Sequence, residues 1–184
     1  MKKMNYPDNR DNLYNNPYPC YPNTPMDNPY FWNQYPNPCA PYNRIGYGDL
    51  IELRDYGPEP FVVNIDQATK QNTNFRTALW TGRYLQLTLM SINVGEDIGL
   101  EMHPDVDQFI RVEQGQGLVK MGDRQCRLDF QRYVYDDFAI IIPAGKWHNL
   151  INTGNIPLKL YSIYAPPEHP HGTVHVVRPE NHDH

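Results

Sequence analysis

Glu101, His103 and Gln108 stand close together in GEDIGLEMHPDVDQFIRVEQGQG, the stretch from Gly95 to Gly117, and His148 follows in PAGKWHNLIN, from Pro143 to Asn152. Neutral imidazole nitrogens bind Mn, Fe, Co, Ni or Zn, and a carboxylate adds the charge and hardness that suit Mn or Fe(II). If the first stretch is extended, Glu101 and His103 lie two apart and their side chains point to one face. Gln108 opens the run QFIRVEQG, where Gln108, Ile110 and Val112 share a face and Arg111 takes the other. Four such donors are enough to hold one divalent metal ion with coordination places left open for a small-molecule ligand. Gln108 is neutral, so it either binds through its amide oxygen or stands behind the ligands and bonds Glu101 or a metal-bound water.

To bring these residues together the chain needs a sheet that curls. From Phe61 the sequence alternates in the manner of strands: FVVNI, FRTALWTG, YLQLTLMSI, QFIRVEQG, GLVKMG, RQCRLDF, RYVYDD, FAIIIP, HNLIN and LKLYSIY. Glycine-bearing turns separate many of them, as at Gly95, Gly115, Gly122 and Gly154. Within YLQLTLMSI, Leu85, Leu87 and Leu89 face one way and Gln86, Thr88 and Met90 the other. Gln67 to Thr73 is the one short helix or loop expected. Short strands with frequent turns and no long helical pattern predict an all-β sandwich or barrel.

The two stretches read G-x5-E-x-H-x4-Q-x6-G and P-x-G-x2-H-x3-N, in that order. Together they resemble the two motifs of the cupin superfamily, and the span Gln86 to His175 is most similar to small bacterial single-domain cupins of the phosphomannose-isomerase-like type. The resemblance implies a cupin jelly-roll β-barrel, a double-stranded β-helix. It implies metal ligands at Glu101, His103, Gln108 and His148. Glu101 stands where that family carries its first histidine, Gln108 where it carries a glutamate, and Asp137 where its second motif opens with glycine. The resemblance further implies a homodimer paired through barrel edges. The activity expected of such a site is that of an isomerase, decarboxylase or oxygenase on a small sugar or a hydroxy or keto acid. Against it stand a degenerate cupin without metal, a non-catalytic small-molecule-binding cupin, and a structural coat protein.

Around the donors, three further positions could supply an acid or base. His169 or His175 would do so if EHPHGTVH folds over the barrel mouth. The plainer expectation for that segment is a solvent-exposed, histidine-rich edge, with Thr173 to Val177 adding an edge strand or lid. Tyr161 and Tyr164 lie three apart on the last strand, so at most one faces the interior, and Tyr161 is taken as the candidate. His182 and His184 belong to a flexible tail, 178–184, and are not counted as a site.

Residues 1–44 are different material. They hold seven of the fourteen tyrosines and nine of the eighteen prolines with almost no Leu, Ile or Val, so the reading is a disordered arm. Its composition resembles that of spore-coat proteins and suits assembly with protein partners through exposed Tyr, Trp32, Cys20 and Cys39. Residues 45–60 are read as a linker and 61–177 as the barrel. A net charge of −5 and the lack of a basic stripe argue against nucleic acid as a partner. No apolar run reaches membrane-spanning length, and no apolar region follows Lys2 and Lys3 as a secretory signal would require. A cytoplasmic location is therefore expected, with a spore coat as the alternative. Cys126, in RQCRL, is read as a packed or half-buried thiol.

Overall fold

The alternation along YLQLTLMSI settles how the sheet is laid. In the computed structural model, which describes residues 50–179, this run becomes strand β2, Gln86–Ile92, between β1, Arg76–Thr81, and β8, Leu158–Ala165. Facing pairs project to the same side of a sheet. The rows Gln86–Tyr164–Gln108, Thr88–Ser162–Ile110 and Met90–Leu160–Val112 therefore line one face. That face is the barrel interior. Leu87, Leu89 and Tyr161 line the other.

Among the described residues nine strands make two sheets. The remaining strands are β3, Asp107–Gln114; β4, Gln116–Gly122; β5, Phe130–Tyr135; β6, Ala139–Ile142; β7, Trp147–Asn152; and β9, Val174–His175. One sheet runs β6-β3-β8-β2-β1-β9 and the other β5-β4-β7. Strands distant in sequence lie side by side, as in a jelly roll. Val112, Leu160 and Met90 from the large sheet meet Val119, Leu150 and Val134 from the small one in a single apolar core.

The outer face of the large sheet is covered rather than wet. A short helix α1, Ile65–Gln71, lays Ala68 against Leu79 and Leu89, joined by Ile51, Leu53, Tyr56, Phe61 and Val63. FVVNI is thus not a strand. Its alternating apolar residues pack on the outside of β1 and β2, and Asn64 ends the run by capping α1, its Oδ1 accepting from Gln67 N at 3.1 Å. Residues 50–60 hold no helix or strand, yet Gln71 ties both backbone groups of Ile51.

RQCRL departs from expectation too. Arg124 to Arg127 turns back on itself, with Arg127 N donating to Arg124 O at 2.9 Å. A side chain at Gly122 would collide with the Arg127 carbonyl, so the backbone closes on the glycine instead of pairing as a strand. Cys126 lies exposed in this turn, a free thiol and not a packed one. The arm 1–44 and the terminal residues 180–184 lie outside the described residues. Among those described, no helix is long and apolar enough to cross a membrane.

Asn152 holds the end of β7. Its Nδ2 donates to the carbonyls of Ile92 and Ile156, both at 2.9 Å, and its Oδ1 accepts from Gly154 N at 2.9 Å. Asn152→Ala leaves these groups without partners and should cost on the order of 2 kcal/mol, seen as a lower urea midpoint with an unchanged slope. An unchanged midpoint would show that the three bonds do not stabilise the turn.

Candidate metal centre

The stretch before β3 pairs with β7 at isolated bridges. Glu101 N donates to His148 O at 3.0 Å and His148 N to Glu101 O at 2.9 Å, with a further bridge at Asp97 and Ile151. A pair that exchanges both bonds sends its side chains to one side, so Glu101 and His148 arrive together from opposite ends of the motif region. His103 is held by a third bond, Gly145 N to His103 O at 2.7 Å. Gly145 makes that turn at φ +77°, a conformation that disfavours any residue with a Cβ.

Their side chains converge. His103 Nε2 is 3.6 Å and His148 Nε2 3.4 Å from Glu101 Oε1, and one ligand atom from each of the three lies within 4.8 Å of the others. Each imidazole is fixed by its other nitrogen. His148 Nδ1 meets Lys146 O at 2.9 Å, and a carbonyl can only accept, so Nδ1 carries the proton and Nε2 is bare. His103 Nδ1 meets Glu168 Oε1 at 3.1 Å, with the same consequence. Gln108 comes from β3 as the facing partner of Tyr164. Its Nε2 donates to Ser162 Oγ at 2.9 Å, which leaves the amide oxygen free. Glu101 Oε1, His103 Nε2, His148 Nε2 and Gln108 Oε1 are all buried and without a hydrogen-bond partner. Buried polar atoms are seldom left so. Two imidazole nitrogens, a carboxylate oxygen and an amide oxygen form a donor set that suits a divalent ion from Mn to Zn.

Charge inside the barrel is mutually adjusted. Burial pushes the Glu101 carboxyl up, but the His103 and His148 imidazoles and Arg76 outweigh it and bring it to about 2. Burial also lowers His103, and the Glu101 and Glu168 carboxylates more than reverse this, so its pKa is raised. Tyr164, fully buried, is pushed by burial to about 12; Ser162 is near its hydroxyl, which has no well-formed partner. A second acidic group, Glu113, Asp136 and Asp137, differs in kind: Arg111 reaches both Glu113 and Asp137 and serves it as counter-ion. Asp137 has φ 68°, so it takes up the backbone conformation for which a glycine was expected.

Of the candidate acids and bases, Tyr161 is displaced by Tyr164. Tyr161 packs on the outer face, its ring 6.1 Å from that of Phe109, while Tyr164 stands edge-on to His103 at 5.8 Å. The register of β8 decides this, since Tyr161 faces Leu89 and Tyr164 faces Gln86. His175 sits on β9 opposite Arg76, with its Nδ1 buried and unpartnered. Nor is EHPHGTVH simply an exposed edge. Gln86 clamps the backbone of His169 from both sides, at 2.9 and 2.8 Å, and the His169 ring stands edge-on to Tyr164 at 5.1 Å. Burial, then Arg76, brings His169 down to about 3. Of the segment's three histidines, His171 is the one left exposed.

Sequence reasoning missed Glu168 and Arg76. Both lie outside the motifs; that a ligand histidine needs an acceptor at its second nitrogen points toward Glu168, and no local signal points to Arg76.

The family model of the cupin domain matches residues 88–164, a span that contains all four donors. The protein YrkC of Bacillus subtilis strain 168 is 69% identical over 133 residues, covering 72% of each chain. The chain belongs to the cupin superfamily. Protein L612 of Acanthamoeba polyphaga mimivirus is 41% identical over 122 residues, 66% of this cupin and 74% of that protein. The crystal structure of BH2720 from Bacillus halodurans shares 70% identity and superposes with a TM-score of 0.68 over 68% of this chain and 95% of that one. Arg76, Glu168, His169 and His175 fall outside the matched span of the domain.

Two outcomes follow from the fixed imidazoles. Glu168→Gln should weaken divalent-metal affinity by about 10- to 100-fold, measured by competition with a chelating dye; unchanged affinity would remove Glu168 from the site. In metal-free protein the raised pKa of His103 stabilises the fold fully below its unfolded value of 6.5 and ceases to do so as pH rises through the folded value. The stability margin of wild type over His103→Gln should therefore shrink as pH rises above 6.5. A margin that grows with pH would contradict the assigned ion pairs.

Proposed function

We propose that this cupin binds one divalent metal ion through Glu101, His103 and His148, with the Gln108 amide oxygen as fourth donor, and acts there on a small sugar or a hydroxy or keto acid. The observation that carries the reading is the set of four buried, unpartnered donor atoms, with both histidines locked at Nδ1. When bound, the metal supplies Lewis acidity toward a ligand carbonyl or hydroxyl in the places the protein leaves open. Glu168 and the Lys146 carbonyl keep both Nε2 atoms facing inward. Tyr164, pushed to about 12, keeps its phenol proton at neutral pH and offers an O–H hydrogen-bond donor. His169, down at about 3, is neutral there. A fixed O–H donor beside a polarised carbonyl suits stabilising the anion formed in isomerisation or decarboxylation.

Elemental analysis of purified protein should find one Mn, Fe, Co, Ni or Zn per chain, and His103→Ala with His148→Ala should abolish it. A double variant that keeps full occupancy, or a wild type that takes up none of these metals on reconstitution, would refute the reading. Metal-loaded protein should then convert members of this substrate class. A ligand-induced rise in Tm without product would assign holding rather than turnover.

A further inference from the structure

Arg76 is a charged side chain in the wrong place for a structural role. It is 5% exposed, it faces the barrel interior opposite Met90, and its Nε is buried without a partner. Among the described residues its side chain makes no hydrogen bond and no ion pair; the guanidinium carbon lies 5.5 Å from the centre of the Phe75 ring. A buried guanidinium with no anion hydrogen-bonded to it carries a desolvation cost that the more distant Glu101 carboxylate offsets only in part. Lys159, the other buried Lys or Arg among the described residues, is satisfied by the Asn72 carbonyl.

The head of Arg76 belongs to the metal-centre neighbourhood. Its charge acts on Glu101, Tyr164, His169 and His175. On β1, β2 and β8 the next interior row carries the small side chains Ala78, Thr88 and Ser162, over which a long side chain can run toward Tyr164. His175 Nδ1, opposite Arg76 on β9, is likewise buried without a partner, as are His169 Nε2, Thr88 Oγ1 and the Tyr164 hydroxyl. Charge points the same way. With a divalent ion in place, the ion and Arg76 carry three positive charges against the two carboxylates Glu101 and Glu168, which leaves one positive charge without a counterpart.

We infer that the ligand of this cupin is a small carboxylate, a hydroxy or keto acid rather than a neutral sugar, whose carboxylate is held by Arg76 while its neighbouring oxygen reaches the metal. The guanidinium fork matches a carboxylate with two parallel N–H···O bonds. The unpartnered Tyr164 hydroxyl can donate to a remaining lone pair. This inference rests on the metal reading above and narrows it, since an uncharged ligand leaves Arg76 as it is.

The test uses full-length protein loaded with Co(II) and two probes of nearly equal shape, glycolate and glycolamide, titrated by the visible spectrum of the metal. Wild type should favour glycolate, and Arg76→Met should lose about tenfold or more of that preference. Arg76→Lys should keep part of it, because it retains the charge but not the fork. Without probe, Co(II)-loaded Arg76→Met should melt no lower than wild type, since an apolar side chain of similar length replaces a buried, unpaired charge. A variant that loads Co(II) and prefers glycolate as strongly as wild type overturns the inference and leaves the metal reading intact. So does an Arg76→Met protein that melts well below wild type, which makes Arg76 a structural residue. A wild type that takes up no Co(II) overturns both.

Discussion

The two backbone bonds exchanged by Glu101 and His148 are what the rest of the site depends on. Residues forty-seven apart in the chain become facing neighbours, and their side chains have no choice but to share a side. His103 is tied to the same place by the turn at Gly145. Three donors are thereby placed by main-chain geometry, before any metal contributes. A site built on backbone bonds of this kind is stiff, because moving one donor means breaking a ladder.

Such rigidity has an electrostatic cost, and the interior distributes it. Glu101 stays ionised because two imidazoles and Arg76 oppose burial, and His103 is raised because two carboxylates flank it. Glu168 does two things at once: it orients His103 and supplies negative charge. It reaches the site only because Gln86 pins the backbone at His169. Gln86 itself is in the row that carries Tyr164 and Gln108. One interior row of the large sheet thus links the strap, the phenol and the fourth donor.

Much of the fold was legible. Alternation in YLQLTLMSI correctly separated Gln86, Thr88 and Met90 from Leu87 and Leu89, because a strand with a polar row inside still has period two. It failed at FVVNI, where apolar alternation serves packing on the outside of a sheet and an Asn cap starts a helix. It failed at RQCRL, where a close backbone approach to Gly122 outweighs the β propensity of the run. Tyr161 and Tyr164 could not be told apart, since three residues on a strand put them on opposite faces but only the register with β2 says which face is inside.

The local pattern of Glu101, His103, Gln108 and His148, with Pro143, Gly145 and Asn152 around them, was by itself sufficient to name candidate donors, and its resemblance to the two cupin motifs named the jelly roll, since ligand type and turn chemistry are properties of neighbours in the chain. Asp137 could hold a glycine's φ because an aspartate tolerates the left-handed region better than most. The tertiary structure alone decided which nitrogen of each histidine is bare, that Glu168 stands behind His103, and that Arg76 lies buried beside them without an anion. Those facts concern groups brought together across sheets and around a strap. No local spacing encodes them, because they arise only when the chain has closed on itself and water has been excluded.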